Sequence, residues 1–199
     1  MGVELVLATG NLNKQKEIMA VLSDLPITIR SQSEFVAVPE VIEDGETCEA
    51  NAVKKATIIA KHTGRLTLAD DTGLEVAALE GAPGVYAARY AGENATYNDN
   101  CQKLLKELQG VPLDSRNARF VTVMAIAEPS GLVEVVEGGL EGKISETLSG
   151  TDGFGYDPIF IVPELGKTLA QITLEEKNQI SHRGCALAKV KDLLKKKLQ

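Results

Sequence analysis

Apolar positions along the chain change their spacing several times, and each change marks an element. Val3 to Ala8 is an almost unbroken apolar run and predicts a buried strand. Thr9-Gly10-Asn11 breaks it. Asn11 is suited to cap a helix reaching about Ser23, with Ile18, Val21, Leu22 and Leu25 at helical spacing. Ile27 to Arg30 reads as a second short strand, and residues 31–46 as a polar, acidic loop. Thr47 to about His62 is Ala-rich and helical. Leu66 to Ala69 reads as a third strand ending at Asp70-Asp71, and Leu74 to Ala78 as another.

The region from Gly81 to Gly92 is rich in Gly, Pro and Ala and reads as a functional or connecting loop. Thr96 and Asp99 have capping-box spacing ahead of a helix face made by Cys101, Leu104, Leu105 and Leu108. Ala118 to Ala127 and Leu132 to Glu137 predict a hairpin around Pro129-Ser130-Gly131, with a further strand from Gly138 to Leu148. Ile159 to Val162 is another strand. Thr173 with Glu176 repeats the capping-box pattern. A last helix from about His182 turns Leu187, Val190 and Leu194 inward and ends in a solvated run of lysines. Strands and helices alternate first and hairpins follow, which predicts a mixed α/β sheet with helices packed on it.

Composition narrows the class. A chain of 199 residues suits a single domain, 1–199, with room for two lobes, and can bury a core without metal or disulfide staples. Its net charge of −7 argues against a surface that coats nucleic acid. Cys48, Cys101 and Cys185 form no CxxC pair, so neither a zinc site nor a disulfide framework is expected. The first apolar run is too short for a signal peptide, and no stretch reaches membrane length. The expected location is the reducing cytoplasm.

Three segments carry candidate chemistry. Thr9-Gly10-Asn11-Leu12-Asn13-Lys14 lies at a strand-to-helix turn, where open backbone N–H groups and the helix dipole favour an anion. On these residues alone, a capped helix start explains the turn as well as a phosphate site does. Asp70 and Asp71 follow an apolar strand, where two acids are costly unless paired or metal-bound. Hard oxygen donors without a His/Cys cluster point to Mg²⁺; a turn cap with Gly73 is the other reading. The crowd of Glu40, Glu43, Asp44 and Glu46, taken by itself, reads as a solvated loop. In Gly153-Phe154-Gly155-Tyr156-Asp157-Pro158, two aromatic rings can stack on a base and Asp157 can accept from a ring N–H. The same residues also suit an ordinary turn into the next strand. Lys177, His182 and Arg183, further on, supply donors for carbonyl or phosphate oxygens.

Together these segments resemble the inosine triphosphate pyrophosphatase family, the Ham1-like dITP/XTP diphosphatases. The matching pieces are Ala8 to Lys14, Asn51-Ala52-Val53-Lys54-Lys55-Ala56, Ala69 to Leu74, Gly81 to Gly92, Arg119-Phe120, Gly153 to Pro158, and Thr173 to Asn178 through Ser181-His182-Arg183. They span nearly the whole chain in the family's order. The resemblance implies an elongated mixed β-sheet flanked by helices, with two lobes and a central nucleotide-binding cleft. It implies Mg²⁺-dependent hydrolysis of ITP, dITP and XTP to the monophosphate and pyrophosphate, and a homodimer.

Residue by residue, the resemblance makes Thr9, Gly10, Asn11, Leu12, Asn13 and Lys14 the phosphate-contacting turn, with Lys55 and Thr72 as further substrate contacts. It makes Glu43 and Asp71 metal ligands and Asp71 the acid that activates water, supported by Asp70. Phe154, Gly155, Tyr156, Asp157, Lys177, His182 and Arg183 correspond to the base-recognition set. The chain departs from the family at Glu49-Ala50-Asn51, where a Glu commonly precedes the Asn, and at Ala87, Gln171 and Ile172. Donors facing a 6-oxo group would be left unmatched by adenine, at about 1–3 kcal/mol each.

Overall fold

Three parallel strands open the chain. In the computed structural model, which describes residues 3–198, strand β1 (Val3–Leu7) pairs in parallel with both β2 (Ile27–Ser31) and β3 (Leu66–Val76). Parallel neighbours need crossovers, and helices α1 (Leu12–Leu22) and α2 (Cys48–Thr63) supply them. Asn11 caps α1 by accepting from the N–H groups of Asn13 and Lys14. Thr47 caps α2 through Ala50 N–H, and Gly64, at φ 64°, closes it in the left-handed region that favours glycine.

The remaining strands are β4 (Pro83–Gly84), β5 (Asn117–Ala127), β6 (Val133–Ile144), β7 (Phe160–Val162) and β8 (Lys167–Thr168). The sheet order is β2-β1-β3-β5-β6-β7-β8, with β4 antiparallel on β3. β6, β7 and β8 pair antiparallel in sequence. Helices α3 (Tyr97–Glu107), α4 (Leu174–Ile180) and α5 (His182–Lys197) complete the mixed α/β fold. Both expected capping boxes form: Thr96 with Asp99, and Thr173 with Glu176.

Two expectations are corrected. Leu66 to Ala69 and Leu74 to Ala78 are not separate strands, because β3 runs unbroken through Asp70, Asp71 and Thr72. Both acids are buried there, and each has a partner from another element, so their polarity does not end the strand. Likewise Gly138 to Leu148 does not start a new strand, since β6 continues through Gly138 and Gly139. The missing side chain at Gly139 leaves room for Arg119: a Cβ there would lie 3.2 Å from its Nη2.

The chain forms two compact units. The first takes the chain through Asp71, then Thr122–Gly138, then Arg183 onward; the second takes Thr72–Val121 and Gly139–His182. The first unit packs Leu5, Leu7 and Leu68 of the parallel strands against Ile18 and Leu22 of α1 and Leu187, Val190 and Leu194 of α5. The second packs Leu74, Phe120, Phe160 and Ile159 against Cys101, Leu104 and Leu108 of α3. Among the described residues no helix is long and apolar enough to cross a membrane.

Candidate active site

The first unit gathers the charged candidates around Asp70 and Asp71. Alternation along β3 sends their side chains to opposite faces. Asp70 is 1% exposed, and its Oδ2 takes Lys14 Nζ at 3.0 Å and Arg183 Nη2 at 3.1 Å. Burial alone would raise its pKa. The charges of Lys14, Arg183 and Lys55 outweigh that and hold the carboxyl well below the usual range. Asp70 Oδ1 is also buried and has no hydrogen-bond partner among the described residues.

Asp71 lies in a different field. Its Oδ2 accepts from Asn51 Nδ2 at 3.1 Å, and its Oδ1 lies 3.9 Å from Lys55 Nζ. Burial pushes its pKa up; Lys55 opposes this and the charge of Glu43 reinforces it, and the net shift is upward. Lys55 also donates to Glu43 Oε1 at 2.8 Å and to the Asp70 carbonyl at 2.6 Å. Burial disfavours its charge, but Asp70, Asp71 and Glu43 more than compensate and raise its pKa. The two adjacent carboxylates are thus shifted in opposite directions, Asp70 downward by its cations and Asp71 upward by burial.

The turn between β1 and α1 borders this cluster through Lys14. Thr9 Oγ1 accepts from Asn11 N–H at 3.1 Å. A Cβ at Gly10 would meet nothing within 4 Å, and Leu12 is 69% exposed, so the turn lies at the surface. Asn13 contributes its N–H to the Asn11 cap.

Glu43 and Asp71 both face Lys55, so two carboxylates converge on one place. Among the described residues no three His, Cys, Asp or Glu side chains form a metal cage. Mg²⁺ is commonly held by one or two carboxylates, with substrate phosphate and water completing its shell. The Glu43–Asp71 donor set fits that pattern.

The second unit holds the aromatic segment. Asp157 Oδ2 accepts from Phe154 N–H at 2.8 Å and from Lys177 Nζ at 2.5 Å. Lys177 Nζ also stands 4.8 Å from the centre of the Phe154 ring, and the Tyr97 ring centre lies 5.8 Å from it. Gly155 turns with φ 64°, and its carbonyl accepts from Cys101 Sγ. The Tyr156 ring belongs to the core, and its hydroxyl donates to the Ala87 carbonyl. Its role is thus to anchor the loop, whereas the expectation was a stacking ring. Thr72, half-buried, follows Asp71 directly.

His182 is 3% exposed and stacks on Phe120, with ring centres 4.3 Å apart. Arg183 lies in the first unit. Its Nη1 bonds Glu17 Oε2 at 2.8 Å while Nη2 holds Asp70. Burial among two acids is what draws it there. Asn51, Glu17 and Phe120 received no role from the sequence. The available signals were a charged residue beside buried Ile18 for Glu17, and membership of the matching segments for the other two.

A family model described as the Ham1 family matches residues 5–193. A protein of Desulforamulus reducens named dITP/XTP pyrophosphatase is 52% identical over 192 residues, covering 96% of each chain. One of the same name from Geobacter sulfurreducens is 52% identical over 190 residues, again covering 96% of each. Among solved structures, a HAM1 protein from Coxiella burnetii superposes with a TM-score of 0.89 at 43% identity, covering 98% of this chain and 99% of that one. The Staphylococcus aureus Ham1 protein gives 0.87 at 40% identity, with the same coverage. The chain belongs to the Ham1 family.

Proposed function

We propose that this chain hydrolyses non-standard purine nucleoside triphosphates, ITP, dITP and XTP, to the nucleoside monophosphate and pyrophosphate, clearing them from the nucleotide pool. The observation that carries the reading is the buried Asp71 carboxylate, 3.9 Å from Lys55 Nζ, which also bonds Glu43 Oε1 at 2.8 Å. The names of the relatives, dITP/XTP pyrophosphatase, supply the substrate class.

Each cluster is assigned to one end of the substrate by its chemistry. The Thr9–Lys14 turn at the start of α1, with Lys14 and Lys55, binds phosphate oxygens. Asp71 accepts a proton from the water that attacks the α-phosphorus. A new P–O bond forms there, the bridge to the β-phosphate breaks, and pyrophosphate leaves with the electron pair. Mg²⁺, held by Glu43 and Asp71, would neutralise the polyphosphate and supply Lewis acidity when bound. Phe154 stacks on the purine, and Lys177, oriented by Asp157, donates to the 6-oxo oxygen. Adenine would leave that buried donor unmatched. We also assign, from the family resemblance, a homodimer, and from the three free cysteines a reducing cytoplasmic setting.

The test is release of pyrophosphate and monophosphate from ITP, XTP, GTP and ATP, with Mg²⁺ and with EDTA, for wild type and Asp71→Asn. Metal-dependent ITP and XTP turnover, lost in the variant, is the expected result. Orthophosphate in place of pyrophosphate, or ATP turned over as fast as ITP, would overturn the reading. Sedimentation at micromolar concentration tests the dimer.

A further inference from the structure

We infer that Asn51 is a positioning residue that ties the Asp71 carboxylate to the loop carrying Glu43, so that the two acids keep one mutual arrangement. The inference rests on the proposed roles of Asp71 and Glu43.

Asn51 sits near the start of α2 and is 1% exposed. Its backbone N–H is already used, on the Thr47 carbonyl at 3.2 Å. The side chain therefore acts on its own account. Nδ2 donates to Asp71 Oδ2 at 3.1 Å, and Oδ1 accepts from Gly45 N–H at 2.8 Å. Chemistry fixes which end is which. A backbone N–H can only donate, so it must face the amide oxygen, and an ionised carboxylate can only accept, so it must face the nitrogen. An ionised Asp at this position could serve Gly45 but not Asp71. A Leu of similar size could serve neither.

Gly45 stands two residues beyond Glu43, and the approach is close. A Cβ on Gly45 would lie 2.7 Å from Asn51 Oδ1 and 2.9 Å from Ala50 Cβ. Glycine is thus required for space, and its φ is ordinary. One helical turn further along the same face, Lys55 bonds Glu43 Oε1 and the Asp70 carbonyl. α2 accordingly clamps strand and loop twice. Lys55 supplies charge from a flexible stem, and Asn51 supplies direction from a short, two-ended amide. Removing groups that orient metal ligands typically costs about 10- to 100-fold in activity, and that is the range expected here.

The test compares Asn51→Leu, Asn51→Asp and Gly45→Ala with Asp71→Asn, by ITP kinetics and by amide hydrogen exchange without metal or nucleotide. All three are expected to lose about 10- to 100-fold in kcat, with KM for ITP changed by less than about threefold, the pattern of lost transition-state alignment. Gly45 N–H is expected to exchange slowly in wild type and Asn51→Asp, and quickly in Asn51→Leu. Should Asn51→Leu fail to fold, Asn51→Asp and Gly45→Ala carry the test. Fast Gly45 exchange in wild type, or full kcat in Asn51→Asp beside an inactive Asp71→Asn, would overturn this inference alone. Full activity in Asp71→Asn would instead overturn the reading beneath it.

Discussion

Arg183 holds Asp70 through an Nη2–Oδ2 contact of 3.1 Å, and both side chains are almost wholly buried. Glu17 closes the other side of the guanidinium at 2.8 Å. The group thus joins α5, β3 and α1 of the first unit through charge as well as through the apolar core.

Removing one member of a buried ionic group leaves its partners uncompensated, which costs about 3–5 kcal/mol. Arg183→Met takes a buried cation from two acids and is expected to lose stability toward the lower end of that scale, since Lys14 stays on Asp70, measured by urea unfolding. The sign of the pH effect follows from Asp70, whose folded pKa is depressed. Its contribution is present above the ordinary carboxylate pKa of about 3.9 and drains away as pH falls below it. Between about pH 4 and 2 the Tm of wild type is expected to fall more steeply than that of Asp70→Asn. Parallel slopes would contradict the assignment.

The thiols predict behaviour in alkali. Burial chiefly, with help from the charge of Asp157, pushes the Cys101 thiol up to about 12. An unfolded thiol titrates near 8.5. The folded pKa is raised, so the contribution to stability is full below the unfolded value and is lost as pH rises toward the folded one. Wild type is expected to lose Tm faster than Cys101→Ala between about pH 8.5 and 11. At pH 8 iodoacetamide should label Cys101 in denatured protein and leave it unmodified in folded protein, as read by mass spectrometry.

How much of this was readable beforehand depended on how local each cause was. The Asn11 cap and both capping boxes act over two or three residues, and spacing revealed them. The acids of β3 look like a break in the sequence; only partners from other elements, such as Lys14 and Asn51, make a polar strand interior tolerable. The same distance effect applies at the site. Lys14, Glu43, Lys55 and Asp71 were each singled out, and the fold brings them together. Glu17 meets Arg183 across 166 positions and Asn51 meets Asp71 across 20. No local pattern announces such pairs.

Selectivity is expected to lie in the Lys177–Asp157 pair. Lys177→Met removes the donor proposed for the 6-oxo oxygen and keeps the length of the side chain. kcat/KM for ITP is expected to fall about tenfold to a hundredfold, the kinetic equivalent of about 1–3 kcal/mol. ATP has no oxo group to lose and should be affected less, so the ITP-to-ATP ratio collapses. An equal loss on both nucleotides would mean that Lys177 serves the loop alone.

Gly153 offers a sharper probe of the same pair, because it supports Asp157 without contributing any donor or acceptor side chain. Its φ of 72° favours glycine, and an added Cβ would lie 2.0 Å from Asp157 Oδ2, the atom that receives Lys177 and Phe154 N–H. Gly153→Ala must therefore displace that oxygen or unwind the turn. Either outcome separates Lys177 from its acceptor and loosens Phe154 at once. The backbone strain alone costs about 1 kcal/mol or more. We expect a Tm lowered by a few degrees, consistent with that strain, together with a raised KM for ITP and little change in kcat, since Asp71 and its neighbours are untouched. Unchanged KM in a stably folded variant would show that the Asp157–Lys177 pair does not hold the base.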